Sequence, residues 1–325
     1  MTITLSIPES LKPEDGRFGS GPSKIRPEQI AALDAGATTL LGTSHRQAPV
    51  KQLVASIREG LREFFHLPEG YEVALGNGGA SAFWEIACAS LITRRAAFGT
   101  YGSFSAKFAA NAPFLEDPVL FPGEPGTYRL PELTEGVDTY CWAHNETSTG
   151  VAAPIRRVAG SREAGALTVI DGTSAAGALP VDISQTDVYY FSPQKAFGAD
   201  GGLWVAILSP EAIDRAAGVE SSAHLEGAHR WVPPFLSLTT ALNNSRKDQT
   251  LNTPAVATLI MMENQIRWLN NNGGLAWATT RCAKSASILY SWAERSEYAA
   301  PFVVDADARS NAVVTIDLDE RVQAS

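Results

Sequence analysis

Between residues 50 and 208, short apolar runs alternate with stretches of helical period, and that alternation narrows the possible folds more than any other feature. Val50, Leu53, Val54, Ile57, Leu61 and Phe64 recur every three to four residues with charges between them, which predicts an amphipathic helix over 50–65, stopping before Pro68. A strand is expected at 71–75, then the turn Gly76-Asn77-Gly78-Gly79-Ala80-Ser81, then a helix running to Leu91. Further apolar runs of strand length stand at 95–98, 139–143, 167–170, 187–191 and 202–208. Runs this largely apolar are expected to be buried on both faces. The pattern therefore predicts an α/β fold with a mostly parallel sheet covered by helices.

A chain of 325 residues exceeds what one core usually organises, so two domains are expected: a large one over 18–270 and a small one over 271–325 together with 1–17. Helical patterns at 253–269 and 275–292 lead out of the first, and extended segments are expected at 302–304 and 312–316. One helix and two strands fold poorly alone. The small domain is thus expected either to pack on the large one or to be incomplete at its carboxyl end. No internal repeat or low-complexity linker interrupts the chain.

The net charge of -9 argues against a nucleic-acid surface, which needs clustered Lys and Arg; any anionic ligand must be met by local positive groups. Cys88, Cys141 and Cys282 are odd in number and lack CxxC spacing, so neither a disulfide framework nor a zinc site is expected. The five histidines include no HExxH, and His224 and His229 stand at i, i+5, off a common helix face, so no metal is expected. Residues 1–16 lack a signal-like pattern and no apolar run reaches membrane-spanning length. A cytoplasmic protein with no membrane partner is the expectation.

Two residues carry the chemistry. Asp171 closes the 167–170 run, and Lys195 follows the 187–191 run within Ser192-Pro193-Gln194-Lys195-Ala196-Phe197-Gly198. Both should lie at the carboxyl edge of the sheet, where ligand sites of α/β folds are found. A pyridoxal-phosphate enzyme needs a lysine for the imine and usually an acid at the pyridine nitrogen. Burial beside Phe191 and Phe197 would lower the lysine pKa by disfavouring its ammonium form. Taken alone, the segment reads more readily as Asp171 in a loop and Lys195 at the surface paired with a carboxylate, as most lysines are. The turn at 76–81 could hold a phosphate at a helix start or serve only to reverse the chain.

Seven segments together resemble the phosphoserine aminotransferase family of class V, fold-type I pyridoxal-phosphate-dependent aminotransferases. They are Gly19-Ser20-Gly21-Pro22-Ser23, Ser44-His45-Arg46-Gln47, Gly78-Gly79-Ala80-Ser81, His144-Asn145-Glu146-Thr147-Ser148-Thr149-Gly150, the Asp171 and Lys195 stretches, and Gln249-Thr250-Leu251-Asn252-Thr253-Pro254. The likeness runs from about residue 18 to Pro254 and more weakly to Thr315. It implies a large domain with a mostly parallel seven-stranded sheet and a smaller α/β carboxyl-terminal domain.

The resemblance also implies roles. The backbone amides of Ala80 and Ser81 would hold the cofactor phosphate with help from Gln194, Thr147 would meet the phenolic oxygen, and Phe104 would stack on the ring. Many relatives have tryptophan at that stacking position; a core Phe is the competing reading of Phe104. Asn252 and Thr253 would reach the phosphate of the neighbouring subunit in a homodimer, whereas read alone they mark a helix start with Thr253 as cap. His45 and Arg46 would bind the substrate anion, against the plainer reading of an exposed arginine. The implied reaction moves an amino group from L-glutamate to 3-phosphohydroxypyruvate, in serine biosynthesis, with small-molecule partners only. Two departures stand out: many relatives carry arginine where Ala80 stands, and a basic substrate-binding segment nearer the family's carboxyl end has no counterpart. The alternatives are a class V enzyme of the alanine or serine–glyoxylate type, a catalytically silent cofactor-binding relative and, less well supported by the cysteines, a desulfurase.

Overall fold

The computed structural model describes residues 3–4, 7–112, 116–223 and 230–323. His224 and His229 lie outside the described residues. In chain order the elements are β1 (Ile3–Thr4), α1 (Pro27–Gly36), α2 (Ala48–Phe64), β2 (Glu72–Asn77), α3 (Ala80–Ser90), β3 (Ala96–Thr100), α4 (Ser103–Ala110), β4 (Val119–Pro122), β5 (Thr139–Ala143), β6 (Asn145–Glu146) and β7 (Val151–Ala152). Then follow β8 (Leu167–Asp171), β9 (Val188–Phe191), β10 (Leu203–Leu208), α5 (Pro210–Ser222), α6 (Leu238–Ser245), α7 (Val256–Asn271), α8 (Gly274–Arg295), β11 (Ala299–Pro301), β12 (Ile316–Leu318) and β13 (Val322–Gln323).

Seven strands form one sheet in the order β2-β10-β9-β8-β5-β3-β4. Strand β10 runs antiparallel to both of its neighbours, and the remaining pairs are parallel. Six strands therefore end at the same edge, and β10 begins there.

The sheet is buried on both faces, as uniformly apolar strands require. On β2, Val73 and Leu75 join one core while Ala74 joins the other; on β9, Tyr189 and Phe191 separate from Val188 and Tyr190 in the same way. The first core takes the apolar stripe of α2 (Val54, Ile57, Leu61, Phe64) and α7 (Leu259, Met262, Ile266). The second takes α3 through Phe83, Ile86 and Ala87, and α6 through Leu238 and Leu242. The spacing read from sequence is thus the spacing buried: Val50, Val54, Ile57, Leu61 and Phe64 are all at most 1% exposed. Local signals set the ends of α5 and α6, where the Ser209 and Ser237 hydroxyls accept from Ala212 N and Thr240 N.

Two expectations need correction. The extended segments at 302–304 and 312–316 are displaced: the paired strands are Ala299–Pro301 and Ile316–Leu318. Val303 is fully buried, but in a bend that reaches the core, and the Ser310 hydroxyl takes the Ala312 and Val313 N–H groups that a ladder would have used. Nor does Thr253 cap a helix. Helix α7 starts at Val256 with Ala255 in the cap position. Thr253 instead turns its hydroxyl to His45 Nδ1, 3.3 Å away. At the end of the described chain β1 pairs in parallel with β13. No helix among the described residues is long and apolar enough to cross a membrane.

Candidate active site

The shared strand edge opens into a cavity of about 420 Å³. Its walls come from the turn after β2, the ends of β5, β8 and β9, the approach to β10, and the loop at Gly21. The reversed strand closes the group, because Gly202 O accepts from Gly78 N at 2.9 Å and so ties the start of β10 to the glycine-rich turn. Ala80, Ser81, Phe104, Thr147, Asp171, Gln194 and Lys195 all line this one cavity.

Asp171 ends β8 and is 7% exposed. Its carboxylate accepts from Thr173 N at 2.8 Å and from the Trp84 indole N–H at 3.2 Å. Burial raises its pKa more than these hydrogen bonds lower it, since no basic side chain makes an ion pair with it among the described residues. The group is accordingly an acceptor for a cationic N–H entering the cavity.

Lys195 is half-buried, and burial pushes its pKa down. Its Nζ donates to Ser20 O at 2.7 Å. The Gly19–Ser23 loop lies against the lysine, with Ser23 N donating to Gln194 O at 2.8 Å. Gly21 is at φ +127°, and a Cβ there would stand 2.7 Å from Lys195 Nζ. Glycine is needed twice over, for its backbone angle and for room.

Helix α3 starts at Ala80 with Gly79 in the cap position at φ +77°. The cap offers no side-chain acceptor, so the first N–H groups of the helix, those of Ala80 and Ser81, are left to an exogenous anion. Elsewhere on the same cavity wall the Gln194 Oε1 and Thr173 Oγ1 atoms are buried without a partner. Thr147 Oγ1 contacts Ser174 Oγ at 2.9 Å, which also meets Asn145 Nδ2 at 2.7 Å. Phe104 is 41% exposed, with Lys107 Nζ 5.4 Å from its ring centroid, so it is not a core phenylalanine.

Four candidates do not line this cavity. His45 is 7% exposed, its Nε2 has no partner, and burial followed by the Arg46 charge lowers its pKa. Arg46 is exposed in the turn before α2. Asn252 and Thr253 are also exposed, and Asn77 Nδ2 donates to Thr253 O at 3.1 Å. His45, Thr253 and Asn77 form one contact chain beside the glycine-rich turn.

The sequence reading missed several contributors. Trp84 stands one helical turn beyond Ala80 on α3, the face that reaches Asp171. His144 donates its backbone N–H to Asp171 O at 2.9 Å and meets the Tyr189 hydroxyl through Nδ1 at 3.1 Å. Burial pushes its pKa down to about 3, so it is a neutral support for the end of β8. Its place directly after the 139–143 run was the available signal.

These features define a site for an anion at a helix start, a cationic N–H at Asp171 and a carbonyl carbon within reach of an amine. A phosphorylated pyridine aldehyde has that set of groups, and the donors present fit it.

Comparison with known proteins agrees. The model of the family described as Aminotransferase class-V matches residues 125–324. A phosphoserine aminotransferase from Rhodococcus opacus (strain B4) is 55% identical over 328 residues, spanning 100% of this chain and 86% of the relative. A solved phosphoserine aminotransferase from Cytophaga hutchinsonii superposes with TM-score 0.79 at 22% identity, covering 90% of this chain and 81% of that one. An alanine–glyoxylate aminotransferase from Nostoc superposes with TM-score 0.75 at 19% identity, covering 97% and 85%. Sequence, fold and site converge: the chain belongs to the class-V aminotransferase family.

Proposed function

We propose that the chain is a pyridoxal-phosphate-dependent phosphoserine aminotransferase that moves an amino group from L-glutamate to 3-phosphohydroxypyruvate, giving O-phospho-L-serine and 2-oxoglutarate. The observation that carries this reading is the meeting of Lys195, Asp171 and the α3 start in one cavity. The name of the 55% identical relative selects the substrate pair. Bound pyridoxal phosphate supplies an electron sink that makes the substrate α-proton removable.

The chain's own residues do the rest. The Ala80 and Ser81 N–H groups and the Gln194 side-chain N–H would bind the phosphate. Asp171 would keep the ring nitrogen protonated, and Thr147 would turn its hydroxyl from Ser174 Oγ to donate to the phenolic oxygen. Phe104 covers the ring and limits water. Lys195 would hold the cofactor, and its Nζ would serve as the base that takes up and returns a proton, a role that its lowered pKa favours. His45 and Arg46 bind the substrate anion, a guanidinium gripping phosphate or carboxylate with two parallel hydrogen bonds.

The same reading makes the enzyme a cytoplasmic homodimer in which Asn252 and Thr253 serve the neighbouring cofactor. Their exposed position outside this chain's cavity and the three free thiols suit it. It also divides the chain into a cofactor domain over 18–270 and a small domain over 271–325 with 1–17. A desulfurase role is disfavoured, since burial pushes the Cys88 thiol up to about 12 and raises those of Cys141 and Cys282.

Fold alone does not separate the substrates, because the alanine–glyoxylate enzyme superposes nearly as well. Steady-state kinetics with glutamate against 3-phosphohydroxypyruvate, pyruvate and glyoxylate decides it. The phosphorylated acid should be preferred in kcat/KM; equal use of pyruvate excludes the phosphoserine reading, and binding of cofactor without turnover marks a silent relative.

A further inference from the structure

Glu146 is fully buried, makes no ion pair among the described residues, and is absent from the cavity wall. Such a carboxylate is costly unless donors surround it. Here they do. Oε2 accepts from Ser105 N at 2.9 Å and Ser105 Oγ at 2.8 Å, and Oε1 from Phe104 N at 3.3 Å, Ser148 N at 3.1 Å and Ser148 Oγ at 2.8 Å. Ser148 Oγ in turn accepts from Ser103 N at 2.9 Å. The first three N–H groups of α4 are thereby all met by one turn of the β6 segment. Gly102 makes room for this: a Cβ there would overlap the Glu146 side chain, while its extended φ of 172° makes no demand for glycine.

The element so held carries Phe104. A half-exposed aromatic ring has little packing to fix it, so its backbone must be fixed from below. We propose that Glu146 is a positioning residue. By anchoring the start of α4 it holds Phe104 at the cavity and joins it to Thr147, the next residue along from Glu146, as one rigid wall. The cofactor readout below rests on the proposed pyridoxal-phosphate site; the exchange readout does not.

The test compares Glu146→Ala, Glu146→Gln, Phe104→Ala and the double variant Glu146→Ala/Phe104→Ala. Hydrogen exchange by mass spectrometry over 101–110, without cofactor, should quicken about tenfold or more in Glu146→Ala, with other segments unchanged, as expected when charge-assisted hydrogen bonds are lost. Glu146→Gln, which keeps one acceptor oxygen, should fall between. With pyridoxal phosphate, Glu146→Ala should alter the visible circular dichroism and weaken binding about as much as Phe104→Ala, and add nothing in the double variant. Unchanged exchange in α4, or additive losses of affinity, overturns the proposal. Should Glu146→Ala not fold, Glu146→Gln and Ser148→Ala carry the same comparison. A parent protein that binds no pyridoxal phosphate refutes the site reading alone, and exchange then decides the role of Glu146.

Discussion

Replacing Asp171 by Asn changes the charge of the site with almost no change of shape. The side chain is buried, and its contacts are two neutral donors, the Thr173 N–H and the Trp84 indole. A protonated ring nitrogen at ordinary ion-pair separation, about 4 Å, in a site of effective dielectric about 20, interacts with the carboxylate by about 4 kcal/mol. That is about three pKa units on the ring nitrogen, and between a hundredfold and about a thousandfold in rate if the half-reaction needs the proton there. Cofactor affinity should fall by less, because the ring can still bind unprotonated. Stopped-flow spectroscopy of the half-reaction with glutamate, beside a cofactor titration, reads both quantities. Without cofactor a second effect follows. Burial raises the Asp171 pKa, so the folded chain holds the proton more tightly than the unfolded one. Stability is therefore lost as pH climbs from the ordinary carboxylate range to the raised value, and stays reduced above it. Asp171→Asn should abolish that loss in urea unfolding of the cofactor-free protein. An unchanged half-reaction rate in cofactor-loaded Asp171→Asn would refute the argument.

Borohydride reduction of the yellow protein followed by peptide mapping should place the pyridoxyl group on Lys195, and Lys195→Ala should take up none; label on another lysine removes the central assignment. Because burial lowers the Lys195 pKa, the unfolded chain binds the proton more tightly, and the cofactor-free protein should gain stability as pH rises from the lowered value toward 10.5. Lys195→Met should lose that gain, and parallel pH curves in urea would count against it. Asp187→Ala leaves the Arg157 guanidinium, paired at 2.5 Å, and Thr168 N, bonded at 2.7 Å, without their partner. It should cost about 3–5 kcal/mol in urea unfolding, and a loss below about 1 kcal/mol, the scale of an exposed pair, would show the pair to be effectively solvated. Arg46→Ala should lower the kcat/KM preference for 3-phosphohydroxypyruvate over pyruvate about tenfold or more; an unaltered ratio frees Arg46 from substrate recognition.

What could be read from the sequence was what short stretches decide for themselves. Helix α2 shows its buried face every three to four residues, and β5, β8 and β9 are mostly apolar or aromatic and buried at every position, so strands and strand ends were visible, and with them the places of Asp171 and Lys195. Contacts between distant segments left no local trace. Nothing near Trp84 says that its indole meets Asp171, and nothing near Glu146 says that it gathers the start of α4. The strand shifts near the end of the chain have the same origin. Val313, Val314 and Thr315 have strand-like side chains, but the Ser310 hydroxyl takes the first of their N–H groups and the Thr315 hydroxyl bonds Thr149 O. Side chain–backbone competition overrode propensity.

The reversed strand has a consequence for the order in which the protein can assemble. Among the described residues strand β2 has β10 as its only neighbour in the sheet, with Asn77 opposite Leu203, so the earliest strand of the sheet waits for the latest. A chain emerging from the ribosome can pair β3, β4, β5, β8 and β9 as each appears, but it leaves an apolar β2 without a partner until the last strand slots between it and β9. Contacts so far apart in sequence form slowly, and an unpaired apolar strand is the segment most exposed to aggregation meanwhile. The glycine-rich turn proposed to bind the cofactor phosphate hangs from that same strand and is fastened by Gly202. On the proposed function, cofactor would be captured after the sheet is finished, so excess pyridoxal phosphate during refolding should raise the final yield of folded protein without quickening its appearance.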